Sequence, residues 1–382
     1  MARRCYLDAN ATSPLRPVAR EAMLAALEAA NPSSAHGAGK RARRLVEDCR
    51  AAVLDAVNAR CGRAILTSGA TEAATLALTP DYTFGREAVR FDRLLVAATE
   101  HPCVLEGGRF GEVSRLSVDG SGLLDLGELD AALAGGGRPL VAVMLVNNET
   151  GVVQPIAEIA RRVHAVSGTL VCDAVQAVGR MPVDMEALET DLLLVSSHKV
   201  GGPMGAGALV SREGRLVPRP MMAGGPQEDG HRSGTENVPA LAGFAAALRT
   251  LPDRLAWERL RALRDGFEAK LTAVAPTVTI HGTAAQRAPN TSLFSFARIA
   301  GETAQIAFDL DGTAVSTGSA CASGKVARSH VLDAMGVGAP GAIRISLSAE
   351  NDQADLDIAL RTAARLGARD AEKLGAEAAA AA

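Results

Sequence analysis

The stretch LLLVSSHKVGGP, residues 192–203, sets the reading of this chain. Four apolar residues run into Ser196, Ser197, His198 and Lys199, and Gly201, Gly202 and Pro203 end the segment. A short apolar run bounded by Gly and Pro reads as a buried strand. A lysine at its polar end is costly to desolvate. Either its head reaches solvent along its stem, or it is kept for the chemistry of an amine with a lowered pKa, such as condensation with the aldehyde of pyridoxal phosphate. The sequence VCDAVQ at 171–176 bears on that choice. It is another apolar run that meets an acid, Asp173. Pyridoxal phosphate needs a carboxylate against its ring nitrogen to act as an electron sink. Strand–Asp followed by strand–Lys places both groups in one cleft.

The 382 residues are enough for two domains, and 48% apolar with 22% charged residues is ordinary globular composition. A net charge of −3 argues for neither nucleic acid nor an anionic membrane. No 18-residue uncharged apolar run is present, and MARRCYLDAN lacks the core of a signal peptide, so a cytoplasmic protein is expected. Six cysteines, at 5, 49, 61, 103, 172 and 321, form no CxxC and signal neither zinc nor a disulfide framework.

Strand-like runs at 64–67, 94–98, 140–146, 170–172, 192–195 and 208–210 alternate with helical patterns such as 41–58 and 154–166. This predicts an α/β fold with a mostly parallel, doubly wound sheet and ligands at the carboxyl ends of its strands. From Val238 the texture changes to two long helical patterns, 238–251 and 253–274, and shorter strands at 278–281, 293–296 and 343–347. A large domain over 15–254 is expected, with a smaller α+β domain formed by 1–14 and 255–382. The tail AEKLGAEAAAAA reads as a frayed helix.

Several residues sit where such a sheet would open. Ser68, Gly69, Ala70, Thr71 and Glu72 join a strand to a helix start, a place for a phosphate or merely an N-cap. Ser196 and His198 add donors nearby, and Arg232-Ser233-Gly234-Thr235 offers similar chemistry or a plain turn. His101 in ATEHP either stacks on an aromatic cofactor and moves protons or is structural. Cys103 stands two residues on. Asn148 and Glu149 follow the run 140–146, and Gln176 lies three residues past Asp173. Arg344, inside AIRISLS, is either paired internally or holds a fork out to a carboxylate ligand. Cys321, in STGSACASG (316–324), reads as a nucleophile on a flexible loop, whereas Cys172 and Cys49 look like buried fillers.

Taken together, YLDANAT, NPSSAHGAGKRA, TSGATEA, ATEHPCVLE, VNNETGVVQPI, CDAVQAVG, SSHKVGGP, HRSGTEN, GSACASG with SHVLDAMG, and IRISL occur in one order along nearly the whole chain. In this the chain resembles the cysteine desulfurases, pyridoxal-phosphate enzymes of the class V aminotransferase group with the type I fold and a seven-stranded-type sheet. The resemblance is to the branch serving iron–sulfur cluster assembly and nitrogen fixation. It implies that Lys199 binds the cofactor aldehyde, Asp173 pairs with the ring nitrogen, Gln176 contacts the ring hydroxyl and His101 stacks on the ring. Ala70, Thr71, Ser196 and His198 would hold the phosphate, with Thr235 from the neighbouring subunit of a homodimer. Asn148 would serve cofactor and substrate, binding the carboxylate of L-cysteine with Arg344, while Asn31 and His36 stand near the mouth. Cys321, on the loop 316–330, would take the sulfur as a persulfide, release L-alanine, and deliver sulfur to an iron–sulfur scaffold or another acceptor. No resident metal is implied, although Cys321 could transiently ligate an iron–sulfur cluster.

The chain departs from the family pattern at Val171-Cys172, where His-Val is usual, at Pro226 in GGPQE, and at Met204, where lysine is common. Two other functions remain open at this stage. One is a selenocysteine lyase or another class V aminotransferase, which needs no loop cysteine. The other is a sulfur-relay or scaffold protein that has lost turnover.

Overall fold

The computed structural model describes residues 4–317 and 328–381. Seven strands form one sheet: β1 (Arg63–Thr67), β2 (Arg93–Ala97), β3 (Val113–Leu116), β4 (Pro139–Met144), β5 (Thr169–Asp173), β6 (Leu192–Ser196) and β7 (Gly207–Ser211). Their order is β1-β7-β6-β5-β4-β2-β3. From β3 through β6 all neighbours are parallel, and β7 alone runs against both β6 and β1. This is the mostly parallel α/β sheet expected from the alternation of strands and helices.

Apart from the edge strand β3, the strands are buried on both faces because both faces are covered. Leu193, Val195, Val141, Val143 and Cys172 pack with Val46, Cys49 and Val53 of the helix Gly37–Ala56. Their neighbours Leu192, Leu194, Leu140, Ala142 and Val171 face the other way, toward Ala73, Leu76 and Ala77 of the helix Ala70–Ala77. Each such leucine or valine contributes about 1.5–3 kcal/mol by leaving water, so the alternation fixes the register of the whole sheet. Cys49 and Cys172 are fully buried fillers of this core.

A second core lies around a four-stranded sheet in the order Thr279–Ile280, Thr291–Ser295, Ile343–Ser346, Ser316–Thr317. Phe294 is its centre, with ring centroids 6.1 Å from Phe267, 6.0 Å from Phe296 and 6.5 Å from Phe308. The helices Arg254–Val274 and Gln353–Ala381 supply Phe267, Leu271, Leu356 and Ala363 to it. The second helix continues to Ala381 rather than fraying across the alanine-rich tail, in keeping with the high helix propensity of alanine. The N-terminal strand Cys5–Tyr6 pairs in parallel with Thr313–Ala314. The chain then turns back toward the large sheet.

The sequence reading did not find β3 or a three-stranded sheet of Asp81–Phe84, Glu87–Arg90 and Leu216–Pro218. Segments such as VSRL and EAVR are short, and half of each is charged or polar. No helix among the described residues is long and apolar enough to cross a membrane.

Phe294→Ala should lower stability by roughly 3–5 kcal/mol, because it removes the ring that three others touch. Leu310→Ala, at a residue 80% exposed, should change it by less than about 0.5 kcal/mol. Urea unfolding midpoints of the two variants beside the parent chain check both.

Candidate active site

β5 and β6 end in polar residues, Asp173 and Ser196, and these converge with Asn148, which lies just past the end of β4. Asp173 closes β5 and pairs in register with Met144 of β4 and Leu194 of β6. After β6 the chain tightens into a single 3-10 turn, Ser197–Lys199, which places Lys199 beyond the sheet edge. A cavity of about 420 Å³ opens there, within the usual range for a small-molecule site. Its wall includes Ala70, Thr71, His101, Asn148, Asp173, Gln176, Ser196, His198 and Lys199. Nine expected residues therefore share one cleft.

The lysine head does not float. Lys199 Nζ donates to the main-chain carbonyls of Asn10, at 2.6 Å, and Ala11, at 2.8 Å. Ser13 reinforces the turn, its N–H donating to His198 O and its hydroxyl to Lys199 O at 2.7 Å. Thr12 Oγ1 lies 3.1 Å from His198 Nδ1. Asn10 ties this region to the second sheet: its amide donates to Asn148 O and Thr291 Oγ1, and its N–H donates to Ser346 Oγ. Asn10, Ala11 and Thr12 are site residues that reading for strand ends did not single out. Their only signal was the motif YLDANAT.

Burial sets the charge states. Asp173 is raised to about 6 by desolvation, against the pull of the Val175 N–H and of Lys199. Glu100, fully buried behind it, lies well above the usual carboxylate range because of desolvation and the nearby Asp173. His101 and His198 are both lowered to about 4, chiefly by burial and then by the Lys199 charge. At neutral pH the two imidazoles are therefore uncharged.

The helix Ala70–Ala77 presents its N-terminus to the cavity. Its first internal bond is Ala73 N–H to Gly69 O, so the amides of Ala70, Thr71 and Glu72 are not used by the helix. Gly207 lets this turn sit against the sheet, since a Cβ there would come 2.7 Å from Gly69 Cα. Glu72 reaches back to Ser68 N–H at 2.7 Å and is held by Arg232 at 2.9 Å.

Other expected residues lie elsewhere. Asn31 is exposed and its side chain accepts from Ser33 N–H; His36 is exposed and caps the helix Gly37–Ala56. Thr235 is exposed and does not line the cavity. Arg344 is buried and paired internally, to Asp8 at 2.7 Å and Asn148 O at 2.9 Å. Cys321 and most of its loop, 318–327, lie outside the described residues.

The class-V aminotransferase family model matches residues 5–359. A cysteine desulfurase of Cereibacter sphaeroides is 41% identical over 93% of both chains. The cysteine desulfurase IscS of Dictyoglomus turgidum is 37% identical over 96% of this chain and 95% of its own. The chain belongs to the class-V aminotransferase family, in its cysteine desulfurase group. Among solved structures, a NifS-like protein from Rickettsia africae superposes with a TM-score of 0.83 at 34% identity, covering 94% of this chain and 98% of that one.

The class-V aminotransferases imply pyridoxal phosphate, and the cavity fits it. Two buried amide oxygens on its wall, Gln176 Oε1 and Asn148 Oδ1, have no partner within the described chain. Buried polar atoms left so are costly, and a polar ring with a phosphate satisfies such a wall. Unused helix-start amides suit the phosphate, and a buried acid suits a ring nitrogen.

Glu149 is a further buried acid of this region. Desolvation raises it to about 7, although Ser329 Oγ donates to it at 2.5 Å and Arg344 lies near. Its ordinary value is 4.5, so between about 4.5 and 7 the folded chain holds a proton the unfolded chain has lost. Stability then falls as pH rises through that window, and Asp173 acts in the same direction up to about 6. Glu149→Gln, which can still accept from Ser329, should flatten this decline. Urea midpoints measured across the window test it; parallel slopes for both proteins would rule it out.

Proposed function

We propose that this chain is a pyridoxal-phosphate-dependent cysteine desulfurase, converting L-cysteine to L-alanine with transfer of sulfur to Cys321 as a persulfide. The observation that carries this reading is the meeting of Lys199, Asp173 and His101 in one cavity, in a chain 41% identical to a cysteine desulfurase over 93% of its length. Of the solved relatives, SspA is described in complex with cysteine, which supports cysteine as the substrate here.

When bound, pyridoxal phosphate supplies an aldehyde for amines and a ring that delocalises negative charge from a neighbouring carbon. Lys199 and Asp173 would hold its aldehyde carbon and ring nitrogen, and Thr71, Ser196 and His198 its phosphate. His101, neutral and half-buried, would cover the ring and exclude water. Lys199 Nζ, once free as an amine, is the base for the Cα proton of cysteine. The Cys321 thiolate attacks the substrate sulfur: an S–S bond forms, the substrate C–S bond breaks and its electron pair stays on Cβ, which takes a proton, while the proton held on Lys199 returns to Cα to complete alanine. A thiol reductant then takes the outer sulfur, in line with the reversibility of a persulfide.

The same reading makes the protein a cytoplasmic homodimer. Thr235 then acts across the subunit interface, Arg344 and Asn148 bind the substrate carboxylate, and Asn31 and His36 stand near the mouth. Its segments 15–254, and 1–14 with 255–382, would be two domains, the second carrying the sulfur loop toward a scaffold or other acceptor.

Alanine release from L-cysteine under a reductant is the direct test. Cys321→Ala should reduce it by about a thousandfold or more, and Lys199→Ala should abolish it, as expected when a nucleophile or base is removed. Equal activity of Cys321→Ala and the parent chain would instead favour a lyase or aminotransferase.

A further inference from the structure

His101 is the N-cap of the short helix Pro102–Leu105, and its Nδ1 accepts from Cys103 N–H at 3.2 Å. An amide N–H can only donate, so Nδ1 presents its lone pair and a neutral ring carries its proton on Nε2. Cys103 Sγ lies 3.1 Å from the same nitrogen. Facing a lone pair, the thiol can contribute only its S–H. The thiol stays protonated, because burial and then the charges of Asp173 and Glu100 push it up to about 12. The Thr71 side chain hydrogen-bonds the same sulfur. Cys103 and Thr71 both line the cavity. Among the described residues, further charged or titratable neighbours of the ring are Lys199, on the turn after β6, and His330, at the start of the helix His330–Ala334.

We infer that Cys103 is a positioning residue for His101: its S–H donates to Nδ1, holds the imidazole neutral with its one proton on Nε2, and links the ring to Thr71 at the helix start. The thiol is therefore a structural donor and not a second sulfur acceptor, since a thiol held protonated is a poor nucleophile. This rests on the cavity being the catalytic centre proposed above, but its test does not depend on turnover. Protonating Nδ1 breaks the S–H···N bond, so the bond favours the neutral ring. Alanine at 103 keeps the backbone N–H and loses the second donor. Serine restores a donor of similar reach.

The experiment is a pH titration of histidine-labelled, cofactor-loaded protein by long-range nitrogen–proton NMR, with His101 assigned through His101→Asn. The parent chain should show Nδ1 bare and Nε2 protonated. Cys103→Ala should raise the His101 midpoint by about one pH unit, and Cys103→Ser should return it to within a few tenths. An Nδ1-protonated ring in the parent, no shift in Cys103→Ala, or equal shifts in both variants would overturn the assignment. Should Cys103→Ala not fold, the infrared difference between the parent and Cys103→Ser isolates one S–H band. A band lowered from the free-thiol position supports the bond, and an unshifted band overturns it. A protein with this signature that releases no alanine from cysteine keeps the positioning role and loses the desulfurase reading.

Discussion

Lys199 Nζ rests on two main-chain carbonyls, Asn10 O and Ala11 O, and much of the site's geometry follows from this seating. An ammonium leaves bulk water only where oxygen atoms replace its hydration. Those oxygens come from the N-terminal segment, which must therefore lie across the end of the large sheet. Asn10 is the junction. Its carbonyl also accepts from Gln176, its amide donates to Thr291, and its side-chain oxygen accepts from Asn290. Removing this buried residue would disturb the lysine, the second sheet and the amide wall of the cavity together.

The electrostatics of the cleft come from the same burial. Asp173, His101 and His198 all feel the charge of Lys199, and Glu100 lies buried beside Asp173. Desolvation raises the acids and lowers the histidines, so each group is pushed toward its neutral form. A protonated ring nitrogen beside Asp173 would add to the opposite charge that Lys199 already supplies. The helix-start amides at Ala70–Glu72 do the same for an anion at the other side of the site, and Gly207 gives the turn the room it needs. The site is thus preorganised for a ligand bearing both charges.

Much of this was legible in the sequence. The central strands were readable because they are buried on both faces and leave uninterrupted apolar runs. Asp173 and Lys199 were readable because a charged residue at the end of such a run is uncommon. Arg344 illustrates the limit: its place in an apolar strand showed that it must be paired or hold a ligand, and only the fold brings Asp8 to it. Asn31 and His36 show another. Their side chains are occupied locally, as a turn acceptor and a helix cap, a use that any Asn or His in a polar loop can have.

The sequence by itself determined the α/β class, the strands that carry the site and the chemical types at their ends, because period and burial are local properties of a chain. Tertiary structure alone decided which groups meet. Asn10 lies 189 residues from Lys199, and Glu149 lies 180 from Ser329; no local pattern encodes either contact. It also decided the charge states, since the shifts at Asp173, Glu149 and His101 arise chiefly from desolvation by burial in the folded chain. Composition shows that acids and histidines are present. Only packing shows which of them have lost their water.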